Sequence, residues 1–271
     1  LTPGVETTTG PLGQGFANGV GMAIAAKHME ARFERGDSRL FDHRIFAIVS
    51  DGDVMEGVAS EAASIAGHLA LGNVVYLYDD NHITIDGGTD LSFSEDVTRR
   101  FDAYGWHTQS VEDGNDIAAL TQAVQRACDT TDRPSLIRIR SHIGYGSPHR
   151  QDTSKAHGQA LGADEVKLTK KFYGWPEDKD FYVPDEAMNQ MRRCVERGRE
   201  TEADWNRRFD EYARKNSAEA KEFQALLKGE LPQGWDSEIP VFTPKDELAT
   251  RKSASKIEQA IAKKVWALFE I

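Results

Sequence analysis

SDGDVMEGVASEAASIAGHLALGNVVYLYDDNHITIDG, residues 50 to 87, decides the fold. It reads as the end of a strand, an acidic turn, a helix over Val58 to Leu71, a strand NVVYLY over Asn73 to Tyr78, and a second acidic turn. The run before it, RIFAIV from Arg44 to Val49, has the length and β-branched content of a buried strand. Strand, helix and strand in that order make a βαβ unit, and such crossovers build parallel sheets. Ligands of an open parallel sheet lie outside the carboxyl ends of its strands. The residues just past Val49 and Tyr78 therefore stand at the mouth of a crevice.

Those positions hold Asp51-Gly52-Asp53 and Asp79-Asp80-Asn81. Two oxygen-rich turns on neighbouring strand ends can share one hard cation and leave coordination sites for phosphate oxygens, so magnesium with a diphosphate is the natural ligand. Gly52, without a Cβ, lets phosphate approach the backbone, and the helix starting near Gly57 turns a positive end toward it. Taken alone, the acidic turn is also what a solvated loop looks like. As an EF-hand loop it fails, because Met55 and Glu56 stand where an oxygen ligand and a glycine are needed. Gly10, Gly13, Gly15 and Gly19 miss the GxGxxG spacing, since Asn18 fills the third glycine position, which disfavours a nicotinamide site.

The pair Asp51-Gly52 with Asn81 downstream resembles the thiamine-diphosphate signature, and the surrounding words narrow the likeness. SEAASIAGHL, LGN, YDDN and ITIDGGTDLSFSEDV, with TTTGPLGQGFANGVGMAIA before and IGYGSPH and HGQALGADEV after, resemble transketolase, in order and over nearly the whole chain. The resemblance implies that Asp51, Asn81 and the Ile83 carbonyl bind Mg2+, with Ca2+ as a substitute. It implies that Gly52 meets the diphosphate, that the Gly10 carbonyl accepts the aminopyrimidine amino group, and that Leu12 lines the cofactor. It makes Glu56 part of a proton relay between the two cofactor sites of a dimer; read alone, Glu56 is a first-turn carboxylate that complements a helix dipole. Position 50 is Ser where the signature usually has Gly.

Elsewhere the pattern alternates. Phe16 to Phe33 has helical spacing, with His28 on its surface, and His68 is read as structural packing. SEDVTRRFDAY from Ser94 opens with a capping Ser, WHTQSV from Trp106 is a strand, Asp116 to Cys128 a helix and Ser135 to Arg140 a strand. The fold class expected is α/β, a doubly wound, mostly parallel sheet with helices on both faces. Gly144 to Gly162 is a polar loop with His142, His149 and His157 in or near it. The residues alone prefer none of the three; the resemblance selects His157, which would contact diphosphate and a substrate oxygen, work suited to an imidazole.

The domain expected over residues 1–237 binds diphosphate and includes a charged helical excursion over 185–230 packed on the sheet. Met188, Met191, Cys194 and Val195 lie on one side of that excursion and Trp205, Phe209 and Tyr212 on another. Residues 238–271 then resemble a linker toward a pyrimidine-binding domain, in which Arg251 matches an arginine that grips substrate phosphate. Leu1 is not an initiator and the chain begins inside a motif, so upstream sequence is expected too.

Across 271 residues, 33 basic against 44 acidic side chains give a net charge of −11, which disfavours nucleic acid as a partner and suits a cytoplasmic protein. No apolar stretch approaches membrane-spanning length. Cys128 and Cys194 form no motif and are expected as reduced, buried thiols in helices. The reaction implied is transfer of a two-carbon ketol unit between sugar phosphates, by a homodimer or with a complementing pyrimidine-binding chain. Two alternatives stand beside it: a partner-dependent or non-catalytic truncated relative, and a synthase that uses formaldehyde as acceptor. A magnesium-dependent phosphatase on a similar sheet is a third.

Overall fold

A computed structural model describes residues 4–267 of the chain. Its elements in order are α1 (Gln14–Phe33), β1 (Ile45–Ser50), α2 (Asp51–Met55), α3 (Gly57–His68), β2 (Val74–Asp80), α4 (Val97–Ala103), β3 (His107–Val111), α5 (Ile117–Asp129) and β4 (Ser135–Arg140). They continue with α6 (Ala163–Phe172), α7 (Asp185–Lys215), α8 (Ser217–Leu227) and α9 (Thr250–Ala262). The chain divides into two compact units, one holding residues up to Glu34 and Phe41–Gly198, the other Arg35–Leu40 and the residues from Arg199 on.

The first unit is built on a four-stranded, wholly parallel sheet in the order β1-β2-β4-β3. Helices cover both faces, as expected of a doubly wound fold. On one face α1, α3 and α4 pack over Val49, Val74, Tyr76, Tyr78 and Leu136. The contact surface of α3 is Ala59, Ala62, Ala63 and Ala66, all buried, and side chains this small let its backbone come close to its neighbours. Phe16, Tyr76, Phe101 and Trp106 form an aromatic box with Phe16 and Tyr76 edge to face at 4.7 Å and Phe101 and Trp106 at 5.1 Å. Both polar tips of the box are satisfied: Trp106 Nε1 donates to the Ala63 carbonyl at 2.8 Å and the Tyr76 hydroxyl to that of Phe16 at 2.7 Å. Gly19 makes room for that hydroxyl, since a Cβ there would collide with it. Its place in the chain is thus explained by packing. On the other face α5 packs Ala123 and Ala127 onto Val75, Val111 and Ile137. Phe46 and Ile48 of the edge strand β1 stay exposed.

Several local expectations are corrected. The first acidic turn is helical: α2 begins directly at the strand end, so α2, and not the helix at Gly57, leads out of β1. Strand β2 runs on to Asp80, because its pairing with both neighbours continues through Asp79. The cap of α4 is Asp96, whose carboxylate accepts the Arg99 N–H at 3.1 Å, rather than Ser94. His68 is exposed in the last turn of α3. Both cysteines are free, but Cys194 is exposed and Cys128 only half-buried.

The charged excursion is helical, with its apolar residues placed differently from expectation. Met191 and Val195 are 68% and 54% exposed. Within the second unit Trp205, Phe209 and Tyr212 pack with Phe223 of α8. Trp205 and Phe209 stack at 5.3 Å, and Trp205 Nε1 donates to the Leu40 carbonyl at 3.2 Å. Aromatics four residues apart on a helix can bury each other against one neighbouring helix, without a sheet.

Candidate functional site: the carboxyl ends of β1 and β2

Parallel pairing sets Ser50 opposite Asp79, so the two acidic segments leave the sheet side by side. Asp51, the first residue of α2, is 2% exposed. Its Oδ1 accepts the Tyr78 hydroxyl at 2.5 Å and its Oδ2 the His82 backbone N–H at 3.0 Å. Burial pushes the Asp51 carboxyl above its ordinary range, with the neighbouring Asp80 adding to this and the Tyr78 hydroxyl opposing it. Burial, followed by the hydrogen bond to Asp51, pushes the Tyr78 phenol upward too. Among the described residues no cationic side chain pairs with Asp51 directly; Arg138 instead grips Asp80, at 2.6 Å.

His82 stands between the two other expected ligands. Asn81 is buried, its Oδ1 accepting the Ile83 N–H at 2.9 Å and its Nδ2 donating to Asp79 at 3.2 Å. Ile83 pairs with Gly88 in an isolated antiparallel bridge whose hydrogen bonds are made by the residues on either side: Thr89 N–H to the His82 carbonyl, and Thr84 N–H to that of Gly87. The Ile83 carbonyl is spent in neither. His82 holds this turn with a left-handed backbone, φ 62°, and with Nε2 at 3.0 Å from Asp80 Oδ1. The Asp51 carboxylate thus reaches the turn through the His82 N–H, and Asn81 through the next amide, that of Ile83.

A second carboxylate ties in the loop before α1. Asp53 accepts the Ser50 N–H at 3.0 Å on one oxygen and the Gly13 N–H at 2.9 Å on the other. This draws Gly10 to Gly13 over α2, and a Cβ on Gly52 would lie 3.3 Å from Leu12 Cδ1. Leu12 is half exposed and Gly10 exposed. Glu56 caps α3 and is exposed, its Cβ against Gly13.

The three histidines of the loop between β4 and α6 are now told apart. His142 Nδ1 lies 2.9 Å from Asp152 and His149 Nδ1 2.8 Å from Glu165. His157, half-buried at the end of a short 3-10 turn, has a buried Nδ1 with no hydrogen-bond partner among the described residues. Glu165, in the first turn of α6, also accepts the Ser147 hydroxyl at 2.5 Å and the His149 N–H at 2.8 Å. Those donors, Ser147 first, hold its carboxyl down to about 2. Arg251 is exposed in α9, in the second unit.

A cavity of about 320 Å³ behind Tyr78 is lined by Asp80, His82, Arg138 and the segment from Glu95 to Thr98. Its acidic lining has the wrong sign for a diphosphate. Among the described residues no cluster of three or more His, Cys, Asp or Glu side chains is placed to hold a metal ion. The set at Asp51 is of another kind: one carboxylate, one amide oxygen and one carbonyl suit a hard cation that keeps water and phosphate oxygens for its remaining positions. A buried carboxylate that has donors but no counter-charge fits such a cation.

Sequence reasoning did not single out Tyr78, Arg138 or Glu165, and it read Asp53 as part of a cation-binding turn, where the structure has it bonded to the Gly13 and Ser50 N–H groups. Tyr78 had a signal, since period-two alternation puts Tyr76, Tyr78 and Asp80 on one face of β2.

A family model described as "Transketolase, thiamine diphosphate binding domain" matches residues 1–232. The chain is 51% identical over 254 residues to a transketolase of Nostoc, covering 93% of this chain and 38% of that protein. It is 48% identical to one of Geobacillus stearothermophilus, covering 99% and 40%. Among solved structures, a Pichia stipitis transketolase in complex with sedoheptulose 7-phosphate matches at TM-score 0.89 and 41% identity, covering 97% of this chain and 39% of that one. The Leishmania mexicana transketolase matches at TM-score 0.89 and 38% identity, with the same coverage of 97% and 39%. The chain thus spans about two fifths of the length of these relatives.

Proposed function

The chain belongs to the transketolase family, and from that premise we propose that it is the part of a transketolase that holds the diphosphate of thiamine diphosphate through Mg2+. The whole reaction is transfer of a two-carbon ketol unit from a ketose phosphate to an aldose phosphate. The observation that carries this reading is the buried Asp51 carboxylate at the end of β1, bonded to the His82 N–H between Asn81 and Ile83 at the end of β2.

In this reading Asp51, Asn81 and the Ile83 carbonyl hold Mg2+, or Ca2+ in its place, and Gly52 leaves the space through which the diphosphate approaches. Gly10 accepts the aminopyrimidine amino group at its carbonyl, and Leu12, laid across α2 through the Asp53 tie, shields that side from water. His157 holds the proton at a substrate oxygen. Its partnerless buried Nδ1 supports the role, because a bound ligand would complete it. Arg251 binds substrate phosphate through its forked donors. Glu56 joins the relay to a second subunit, for which its exposure here leaves it accessible. Bound thiamine diphosphate supplies the stabilisation of negative charge on carbon that cleaving a bond beside a carbonyl requires. The chain acts in the cytoplasm, as a homodimer or with a complementing pyrimidine-binding chain; no described helix is long and apolar enough to cross a membrane.

The test is calorimetric titration of thiamine diphosphate into this chain with and without Mg2+, repeated on Asp51→Ala. Binding that needs Mg2+ and is lost in the variant is expected, as is ketol transfer once a separately made pyrimidine-binding part is added. Binding indifferent to both Mg2+ and Asp51 would overturn the reading.

A further inference from the structure

Two buried tyrosines lie on the same face of β2 and spend their hydroxyls differently. Tyr76 donates to a backbone carbonyl of α1, a contact internal to the core. Tyr78, 2% exposed, donates to Asp51 Oδ1 at 2.5 Å. With the His82 N–H on Oδ2, each oxygen of the Asp51 carboxylate is held by one donor, which fixes the plane of the group and leaves one further lone pair on each oxygen. Behind Tyr78 the Asp80–Arg138 pair, at 2.6 Å, makes the wall of the acidic cavity. The guanidinium is engaged by Asp80 and does not reach Asp51.

From this geometry we infer that Tyr78 is a positioning residue for the cation site: its hydroxyl orients the Asp51 carboxylate so that the free lone pairs meet the ion. The inference rests on the reading that Asp51 is a cation ligand. Donors in the outer shell orient a ligating group, and their removal costs about 10- to 100-fold in metal binding. Tyr78→Phe removes one oxygen and leaves the ring in the core. Without the hydroxyl, the carboxylate is free to turn about its last bond and meets the ion at an orientation cost.

The measurement is Mn2+ binding to the full chain with thiamine diphosphate present, read by the electron paramagnetic resonance of free Mn2+, for wild type, Asp51→Asn, Tyr78→Phe and Tyr76→Phe. Expected are loss of uptake in Asp51→Asn, a Mn2+ dissociation constant raised about 10- to 100-fold in Tyr78→Phe, and wild-type affinity in Tyr76→Phe despite a lower unfolding midpoint. The last variant separates orientation of the ligand from general loss of a core hydrogen bond. If Asp51→Asn loses the ion while Tyr78→Phe binds as wild type, or if Tyr76→Phe weakens binding equally, the inference falls and the cation reading stands. If the wild type takes up no Mn2+, or Asp51→Asn binds it unchanged, the cation reading falls and takes the inference with it.

Discussion

Gly52 separates what the fold needs from what the ligand needs. It lies inside the short helix α2, where alanine is the better helix former. The one close neighbour of an added Cβ is the tip of Leu12 at 3.3 Å, an exposed and flexible side chain that can move aside. Gly52→Ala is therefore expected to change unfolding free energy by no more than about 1 kcal/mol in urea denaturation. On the proposed function the same methyl group occupies the approach path of the diphosphate, so calorimetry should show thiamine diphosphate affinity falling by about tenfold or more, the equivalent of roughly 1.4 kcal/mol. An affinity that does not change would mean the glycine serves the backbone alone. That Asp51, Gly52 and Asn81 stand at strand ends could be read from pattern and spacing, and the family resemblance implied their roles. The partners of Asp51 could not, since Tyr78 lies 27 residues further along the chain and meets it only through the pairing of β1 with β2.

At the scale of elements, the loop between β4 and α6 is tied to the first turn of α6 by the Glu165 carboxylate. Glu165 takes the Ser147 hydroxyl, the His149 N–H and the His149 ring, so three donors from the loop converge on the first turn of α6. Its folded pKa, about 2, lies below the unfolded value of 4.5, so the folded state binds fewer protons over that interval. The stabilisation is complete above the unfolded value and is lost as pH falls toward about 2. Thermal unfolding followed by circular dichroism should then find Glu165→Gln less stable than wild type at pH 6 and the two curves converging toward pH 2. A constant gap across the acid range would show that packing, and not the charge, is what Glu165 contributes. The loop itself was legible as Gly-rich and polar, and so was the start of α6. Residue type and spacing did not separate His142, His149 and His157, which differ in the carboxylate, if any, that the folded loop sets beside them; the resemblance alone selected His157.

Across the first unit the aromatic box around Trp106 joins α1, α4, β2 and the entry to β3. Trp106→Ala leaves a large cavity and removes the indole's bond to the Ala63 carbonyl, and should cost about 3–5 kcal/mol in denaturant unfolding. A loss below about 1 kcal/mol would mean that the box collapses to fill the space. The α/β class and the parallel sheet were determined by the sequence, because period-two and period-3.6 patterns and turn residues are local signals. The family words around Asp51 and Asn81 pointed to the same fold. Only the tertiary structure decided the strand order, the continuation of α2 straight from β1, the packing of α7 aromatics on Phe223 of α8, and the hydrogen bonds of Tyr78, His82 and Asp53. Those features depend on which distant segments meet. Residues far apart in the chain become hydrogen-bond partners only after burial has chosen their neighbours, and no spacing along the chain encodes that choice.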